Sequence, residues 1–198
     1  MRLLMSAFRV VSAYLIAVPT LFLYVVATST HAHELMENRA ALALRDDRLV
    51  STTLYLNFGE VLHKVLSPKE DRFEHTARLA AMSDVDFGQQ FSAAKKTIQS
   101  GIIIKSMMGK PLKISNWQWP DASLVHKYLR EITMRVVVSP GSHFHETPIE
   151  VRALIQSDEP ISSLRVEMPE ALRPITLIAT RPKQSRLNST TPSLLIDF

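Results

Sequence analysis

Apolar and polar residues alternate in two neighbouring stretches early in the chain. Every second residue is apolar or β-branched at positions 42–44 and again at 50–58, and the charged segment 45–48 separates the two stretches. A period of two places alternate side chains on the same face of a strand. The pattern therefore predicts a β-hairpin over residues 42–58, with the charged segment as its turn.

Two helix starts follow this hairpin. Ser67 can act as an N-cap, Pro68 suits the first helical position and Glu70 can reach back to the cap amide, so a helix is predicted to about Met82. A second helix is predicted from Ser83, and Gly101 is expected to close it in a left-handed conformation. Its apolar stripe consists of Phe87, Phe91, Ala94 and Ile98.

The remaining pattern is mostly that of strands. A second hairpin is predicted around the turn at 108–111, and a helical stripe begins after Pro120, although residues 131–138 fit a helix and a strand equally well. Strands are predicted at 149–155, 164–168, 175–179 and 194–198. This order indicates an α+β fold, either an antiparallel β-sheet or a β-sandwich, with a helical insertion.

The N-terminal segment has the pattern of an export signal. Arg2 and Arg9 precede the uncharged apolar run 10–27, and Thr30 and Ala32 offer small side chains to a signal peptidase. We expect a signal peptide over 1–32 and a single periplasmic or secreted domain over 33–198. The alternative is that the run stays in the membrane as an N-terminal anchor, because its length is at the lower limit for a spanning helix.

Composition narrows the possible functions. The chain has no cysteine, which excludes disulfides and thiolate metal sites. Its formal net charge of +4 comes from interspersed acidic and basic residues, so no nucleic-acid partner is expected. The sequence contains no Gly-x-Ser-x-Gly elbow, phosphate-binding glycine loop or His-Glu-x-x-His motif, so the protein is expected not to be an enzyme.

A short histidine motif is the main candidate for chemistry. If residues 143–145 are extended, His143 and His145 point to the same side with their Cα atoms roughly 6.5 Å apart, so both rings can bind one ion. Imidazole suits copper and zinc, and His33, as the predicted mature N-terminus, can add its ring and its α-amine. The sequence therefore predicts a copper or zinc site at His33, His143 and His145. The alternative is that these residues are solvated loop and terminal residues.

Other polar and aromatic residues are weaker candidates. His63, His75 and His126 lie near or within predicted helices and are expected at the surface or at helix caps rather than in a metal site. Trp117 and Trp119 fall on one side of an extended segment, where they could stack on a sugar or a partner, or pack against the core.

Several of these features occur together in a known kind of protein. The start at 32–35, the hairpin at 42–58, the turn at 109–111 and the closing β segment resemble those of uncharacterised exported bacterial proteins. The chain is also similar to the extracytoplasmic domain of metal permeases of the hydrogenase and urease accessory type. The resemblance implies a periplasmic location and a link to metal handling, and it carries no catalytic residues.

Three functions therefore follow from the sequence. The first is a periplasmic, non-enzymatic binding or accessory protein that holds copper or zinc. The second is a structural or interaction module whose sheet edge or Trp117/Trp119 face contacts a membrane protein, without metal. A hydrolase is the third. The sequence predicts no oligomeric state.

Overall fold

A computed structural model describes residues 37–138 and 147–182, which belong to one compact unit with an α+β fold. The strands are β1 (Asn38–Asp46), β2 (Leu49–Leu56), β3 (Ile103–Ser106), β4 (Lys113–Gln118), β5 (Ile149–Gln156), β6 (Leu164–Glu167) and β7 (Ile175–Thr180). The helices are α1 (Phe58–Leu66), α2 (Arg72–Ala81), α3 (Asp84–Gly101) and α4 (Ala122–Val138), and a 3₁₀ turn spans Glu170–Leu172.

The main sheet has five strands in the order β4-β5-β2-β1-β7. The first predicted hairpin is confirmed, since β1 and β2 pair antiparallel, and β5 joins β2 in the same sense. The main sheet is antiparallel, as predicted, except at β7, which pairs parallel with β1. A parallel pair requires the chain to cross over before it returns to the sheet. Here β6 and the 3₁₀ turn lie in that connection.

The second predicted hairpin is only partly correct. The chain does turn at 107–110, where Leu112 N donates to Ile104 O at 2.8 Å. The two strands then separate, because β3 pairs with β6 in a two-stranded sheet and β4 pairs with β5 in the main sheet. Period-two alternation predicts strands but does not show which partners they take.

A helix that the sequence pattern missed begins directly after β2. Phe58 was expected to end a strand, but it is the first residue of α1. The Asn57 side chain caps this helix by accepting from Glu60 N at 3.3 Å. Phe58, Val61 and Leu62 are fully buried, so the spacing of a helical face overrides the alternation that precedes it.

The predicted start of the next helix is also displaced. Ser67 is the C-cap of α1 rather than an N-cap, and Pro68 lies in the connection. The N-cap of α2 is Asp71, whose carboxylate accepts from Phe73 N and Glu74 N. Asp is as effective an N-cap as Ser. Because α2 begins after Asp71, the Glu70 side chain points toward α2 and accepts from Arg78 rather than capping at the Ser67 amide.

The long helix α3 confirms its predicted start and apolar face. Ser83 caps it by accepting from Asp86 N, and the predicted stripe from Phe87 to Ile98 is buried. Gly101, however, is the last helical residue and not a left-handed cap. Its small size serves a different purpose, because a Cβ at Gly101 would lie 2.7 Å from Pro169 Cβ.

Two other expectations are settled by the described residues. Residues 131–138 are helical, as the second half of α4. In β5, Val151, Ala153 and Ile155 are buried and Glu150 is exposed as predicted, whereas Ile149 is only half-buried. The predicted strand at 194–198 lies outside the described residues.

One continuous core joins the inner face of the main sheet to all four helices. Phe58 lies near its centre, with its ring 5.7 Å from that of Phe91 and 6.4 Å from that of Trp119. Trp117 and Trp119 stack on each other and pack against this core. The helical insertion between β2 and β3 therefore covers the sheet, as predicted. Among the described residues, no helix combines the length and apolar character needed to cross a membrane.

The burial of β5 predicts a sharp contrast between neighbouring substitutions. Val151→Asp places an unpaired charge at a site with no exposed surface and is expected to cost roughly 3–5 kcal/mol of unfolding free energy. Arg152→Gln changes an exposed residue and is expected to cost less than about 1 kcal/mol. Chemical denaturation measures both, and equal losses would show that the strand has another register.

Two glycines of α3 predict opposite effects of the same substitution. Gly88→Ala meets no atom within 4 Å and is expected to stabilise the protein by about 0.5–1 kcal/mol, because alanine favours a helix interior. Gly101→Ala drives its Cβ into Pro169 and is expected to destabilise by about 1–3 kcal/mol. Thermal unfolding of the two variants tests this; stabilisation by both would mean that α3 and Pro169 are not in close contact.

Candidate functional site

The predicted metal ligands cannot be compared with the structure. His33, His143 and His145 all lie outside the described residues. Copper or zinc binding by these three residues therefore stays a prediction. Within residues 37–138 and 147–182, no three His, Asp or Glu side chains are grouped so that they would hold a metal ion.

His126 is buried, contrary to the expectation of a surface or cap residue. Its Nδ1 lies 2.8 Å from Asp84 Oδ1 and its Nε2 lies 3.0 Å from Leu79 O. The neighbouring Arg130 donates to Ala80 O at 3.0 Å, on the same turn between α2 and α3. Both ring nitrogens face oxygen acceptors, so His126 fastens α4 to this turn and has no nitrogen left for a ligand.

His63 and His75 form a second cluster, between α1 and α2. Their ring centroids are 5.6 Å apart, and His75 has only 1% of its surface exposed, again contrary to expectation. Both rings contact Glu70: His63 Nε2 lies 2.7 Å from the Glu70 carbonyl oxygen, and His75 Nδ1 lies 3.1 Å from Glu70 Oε2. Arg78 donates to the same carboxylate.

The charges of this cluster are strongly coupled. The hydrogen bond from Arg78, and after it that from His75, lowers the pKa of Glu70 from 4.5 to about 2. Burial lowers the pKa of His75 below 6.5, although its bond to Glu70 opposes the shift. At neutral pH, Glu70 is therefore an anion, Arg78 a cation and His75 a neutral ring. Ser67 Oγ accepts from Arg78 at 3.3 Å rather than contacting a ring nitrogen, so the cluster does not form a serine nucleophile.

The two edges of the main sheet differ in their protection. At one edge, β4 carries Lys113 and a register shift between Ser115 and Gln118, within which Asn116 has a φ of 52°. Lysine and β-bulges are common devices that prevent another strand from pairing with an edge. At the other edge, β7 has the sequence Ile-Thr-Leu-Ile-Ala-Thr, with no charge, proline or bulge. No strand of the described residues pairs with its outer side.

Both faces of β7 are open to solvent. Leu177 and Ile178 point to opposite faces, and each has 47% of its surface exposed. On the inner face, a groove of about 480 Å³ lies between β7 and β6. The groove is lined mainly by aliphatic side chains, and its lining includes Leu42, Leu44, Ile161, Leu164, Val166, Leu177 and Ala179. The open edge therefore lies directly beside an apolar groove.

Several contacts hold β7 in this place. Leu172 is fully buried just before the strand, and its carbonyl accepts from Asn38 Nδ2 at 3.2 Å. Lys64 donates to the Arg173 carbonyl at 2.8 Å. At the far end, Arg181 pairs with Asp47 at 2.6 Å. The edge is therefore anchored at both ends.

Part of this arrangement has a signal in the sequence. The alternation at 175–179 predicts the strand, and Asn57 with Glu60 is a cap pattern that indicates the missed helix α1. The edge position of β7 has no such signal, because strand order depends on contacts between distant residues. The meeting of His63 and His75 depends in the same way on how α1 and α2 pack.

Comparisons with protein-family models, curated proteins and solved structures find no match for this chain.

The cluster of Glu70, His63, His75 and Arg78, called the Glu70 cluster below, predicts a loss of stability at acid pH. The unfolded chain takes up protons near pH 6.5 at His75 and near pH 4.5 at Glu70, whereas the native cluster resists both. Because the unfolded state then binds more protons, stability falls as the pH drops below about 6.5, and a further loss continues from 4.5 toward 2. Thermal unfolding measured from pH 7 to pH 3 should show both losses.

Glu70→Gln isolates the second of these losses. The variant should be less stable than the wild type at pH 7 and should lose less stability between pH 4.5 and 3. Glu74→Gln, another change in the first turn of α2, is the matched control and should keep the wild-type profile. If the two variants show the same dependence of stability on pH, protonation of Glu70 is not coupled to folding.

Proposed function

We propose that this chain is an exported, non-enzymatic interaction module that binds an extended segment of a partner protein along the outer edge of β7. The observation that carries the proposal is the edge of β7, which is uncharged, is not paired on its outer side by any described strand and lies beside the apolar groove. The opposite edge, β4, is protected by Lys113 and a bulge, so the contrast singles out β7.

The backbone of β7 determines the conformation of the bound segment. A parallel strand directs alternate N–H and C=O groups away from its neighbour, and an added extended strand satisfies them. Each such hydrogen bond contributes about 0.5–1.5 kcal/mol net. The partner segment must therefore be extended over several residues.

The groove determines the side chains of the bound segment. In an added strand, every second side chain points to the inner face and lies over the groove between β7 and β6. Large aliphatic or aromatic residues at these alternate positions would fill it, whereas the positions between them lie on the open face near Ile178. We therefore expect a partner segment with apolar residues at alternate positions and no charge in its middle.

A partner protein fits this surface better than a second copy of the chain. In a symmetric β7–β7 pair, the inner-face positions would be occupied by Leu177 and Ala179 of the other copy. Ala179 carries only a methyl group, so a second copy brings less apolar volume to the groove than a segment with large side chains at both positions. The apolar run at 10–27 predicts export across a membrane. We therefore favour a membrane protein as the partner.

The proposal predicts binding of a simple model peptide. An eight-residue peptide that alternates leucine and threonine should bind the exported protein and protect from hydrogen exchange those amides of 175–180 that point away from β1. The same peptide with proline at a central leucine and at the adjacent threonine lacks an amide on each side of the strand and should not bind. Calorimetry and hydrogen exchange measure the two effects.

Substitutions distinguish edge pairing from other contacts. Ile178→Lys adds a charge to the edge and should weaken peptide binding at least tenfold, about 1.4 kcal/mol. Val85→Lys, at a position on α3 that is 71% exposed, is the matched control and should bind as the wild type does. Equal binding by both variants would refute the proposal. So would protection in the free monomer of those amides at 175–180 that point away from β1, or self-association abolished by Ile178→Lys.

A further inference from the structure

Glu70 supplies hydrogen-bond acceptors to two histidines at once. Its carbonyl oxygen can only accept, so His63 Nε2 carries the proton of their 2.7 Å contact. The neutral His63 ring therefore has its lone pair on Nδ1. This arrangement, with one nitrogen bonded to a backbone carbonyl, is typical of histidines that bind a metal through the other nitrogen.

The same reasoning assigns the tautomer of His75. Arg78 Nη2 lies 3.0 Å from His75 Nδ1, but its two hydrogens are already donated to Glu70 Oε2 and Ser67 Oγ. His75 Nδ1 therefore keeps its own proton and donates it to Glu70 Oε2. The His75 lone pair is then on Nε2. A carboxylate behind a histidine ring orients the ring and makes its other nitrogen a better metal ligand.

His75 Nε2 is the unexplained atom of this cluster. It is buried and has no hydrogen-bond partner among the described residues. A buried polar atom without a partner costs about 1–3 kcal/mol, so such an atom indicates an ion or a water that satisfies it.

The distance between the rings fits a shared ion. Two imidazole nitrogens at about 2.0–2.1 Å from one metal place their ring centroids roughly 5–6 Å apart. The centroids of His63 and His75 are 5.6 Å apart, and their planes are inclined at 62°. We propose that His63 Nδ1 and His75 Nε2 together bind one divalent transition-metal ion.

The donor set indicates which ion is bound and how firmly. Neutral imidazole suits zinc, copper and nickel, whereas calcium and magnesium prefer oxygen. Within residues 37–138 and 147–182 the pair provides only two protein ligands, so water would complete the coordination shell. Structural zinc sites use four protein ligands, so this pair is suited to an ion that exchanges with solvent. The site is separate from the β7 edge and does not depend on the strand-binding proposal.

The test is titration of the exported protein with Zn(II) alone and with Cu(II) alone at pH 7. A His33→Ala/His143→Ala/His145→Ala variant removes the ligands predicted from the sequence, and it should still bind one ion. Adding His63→Gln should then weaken binding at least tenfold. His63 is only half-buried, so this change is expected to leave the fold intact.

A second pair of variants tests the orienting role of the carboxylate. In the same background, Glu70→Gln should weaken binding about 10- to 100-fold, the range found for removal of such outer partners. The matched control Glu74→Gln should bind as its parent does. Binding that is insensitive to both His63→Gln and Glu70→Gln would overturn the proposal.

Nitrogen-15 NMR of the histidine rings gives a readout independent of affinity. In the metal-free protein, His75 Nε2 should be unprotonated, and its resonance should move when Zn(II) is added. A protonated Nε2 would mean that no lone pair is available, and the proposed site would be wrong. An unmoved resonance at saturating zinc would contradict it equally.

Discussion

The structure depends on burying the inner face of its three central strands. In β1, β2 and β5, alternate side chains face the core, and most of them are apolar and buried, so water must be excluded from this surface. The helices between β2 and β3 provide the cover, with Phe58 in contact with both Phe91 and Trp119. Both tryptophans pack against this core and are half-buried.

This constraint also explains where the sheet is left incomplete. The helices cover the centre of the main sheet. Strand β6 of the small two-stranded sheet faces β7, and the apolar groove lies between these two strands. The contacts of Leu172, Arg173 and Arg181 hold β7 at this position from both ends. An edge that is firmly held and yet unprotected is suited to recognition, because the bound segment meets a strand that is already ordered.

The buried histidines serve two different purposes. Both ring nitrogens of His126 are used to fasten α4 to the turn after α2, and its ring stacks on Phe87 at 4.3 Å. In the Glu70 cluster, the acceptors satisfy one nitrogen of each ring, and His75 Nε2 stays without a partner. The same residue type is structural in one cluster and chemically available in the other, and only the hydrogen-bond partners distinguish the two.

The sequence alone determined the α+β class, the β1–β2 hairpin, the face and cap of α3, and the alternation in β5. These features depend on neighbours a few residues apart, so local periodicity and cap residues report them directly. Tertiary structure decided that β7 pairs parallel with β1 at an edge of the sheet and that β3 and β4 pair with different strands. It also decided that His63 and His75 both contact Glu70. Each of these depends on packing between segments that the sequence pattern treats independently, because hydrophobic burial specifies which face is covered but not which element covers it.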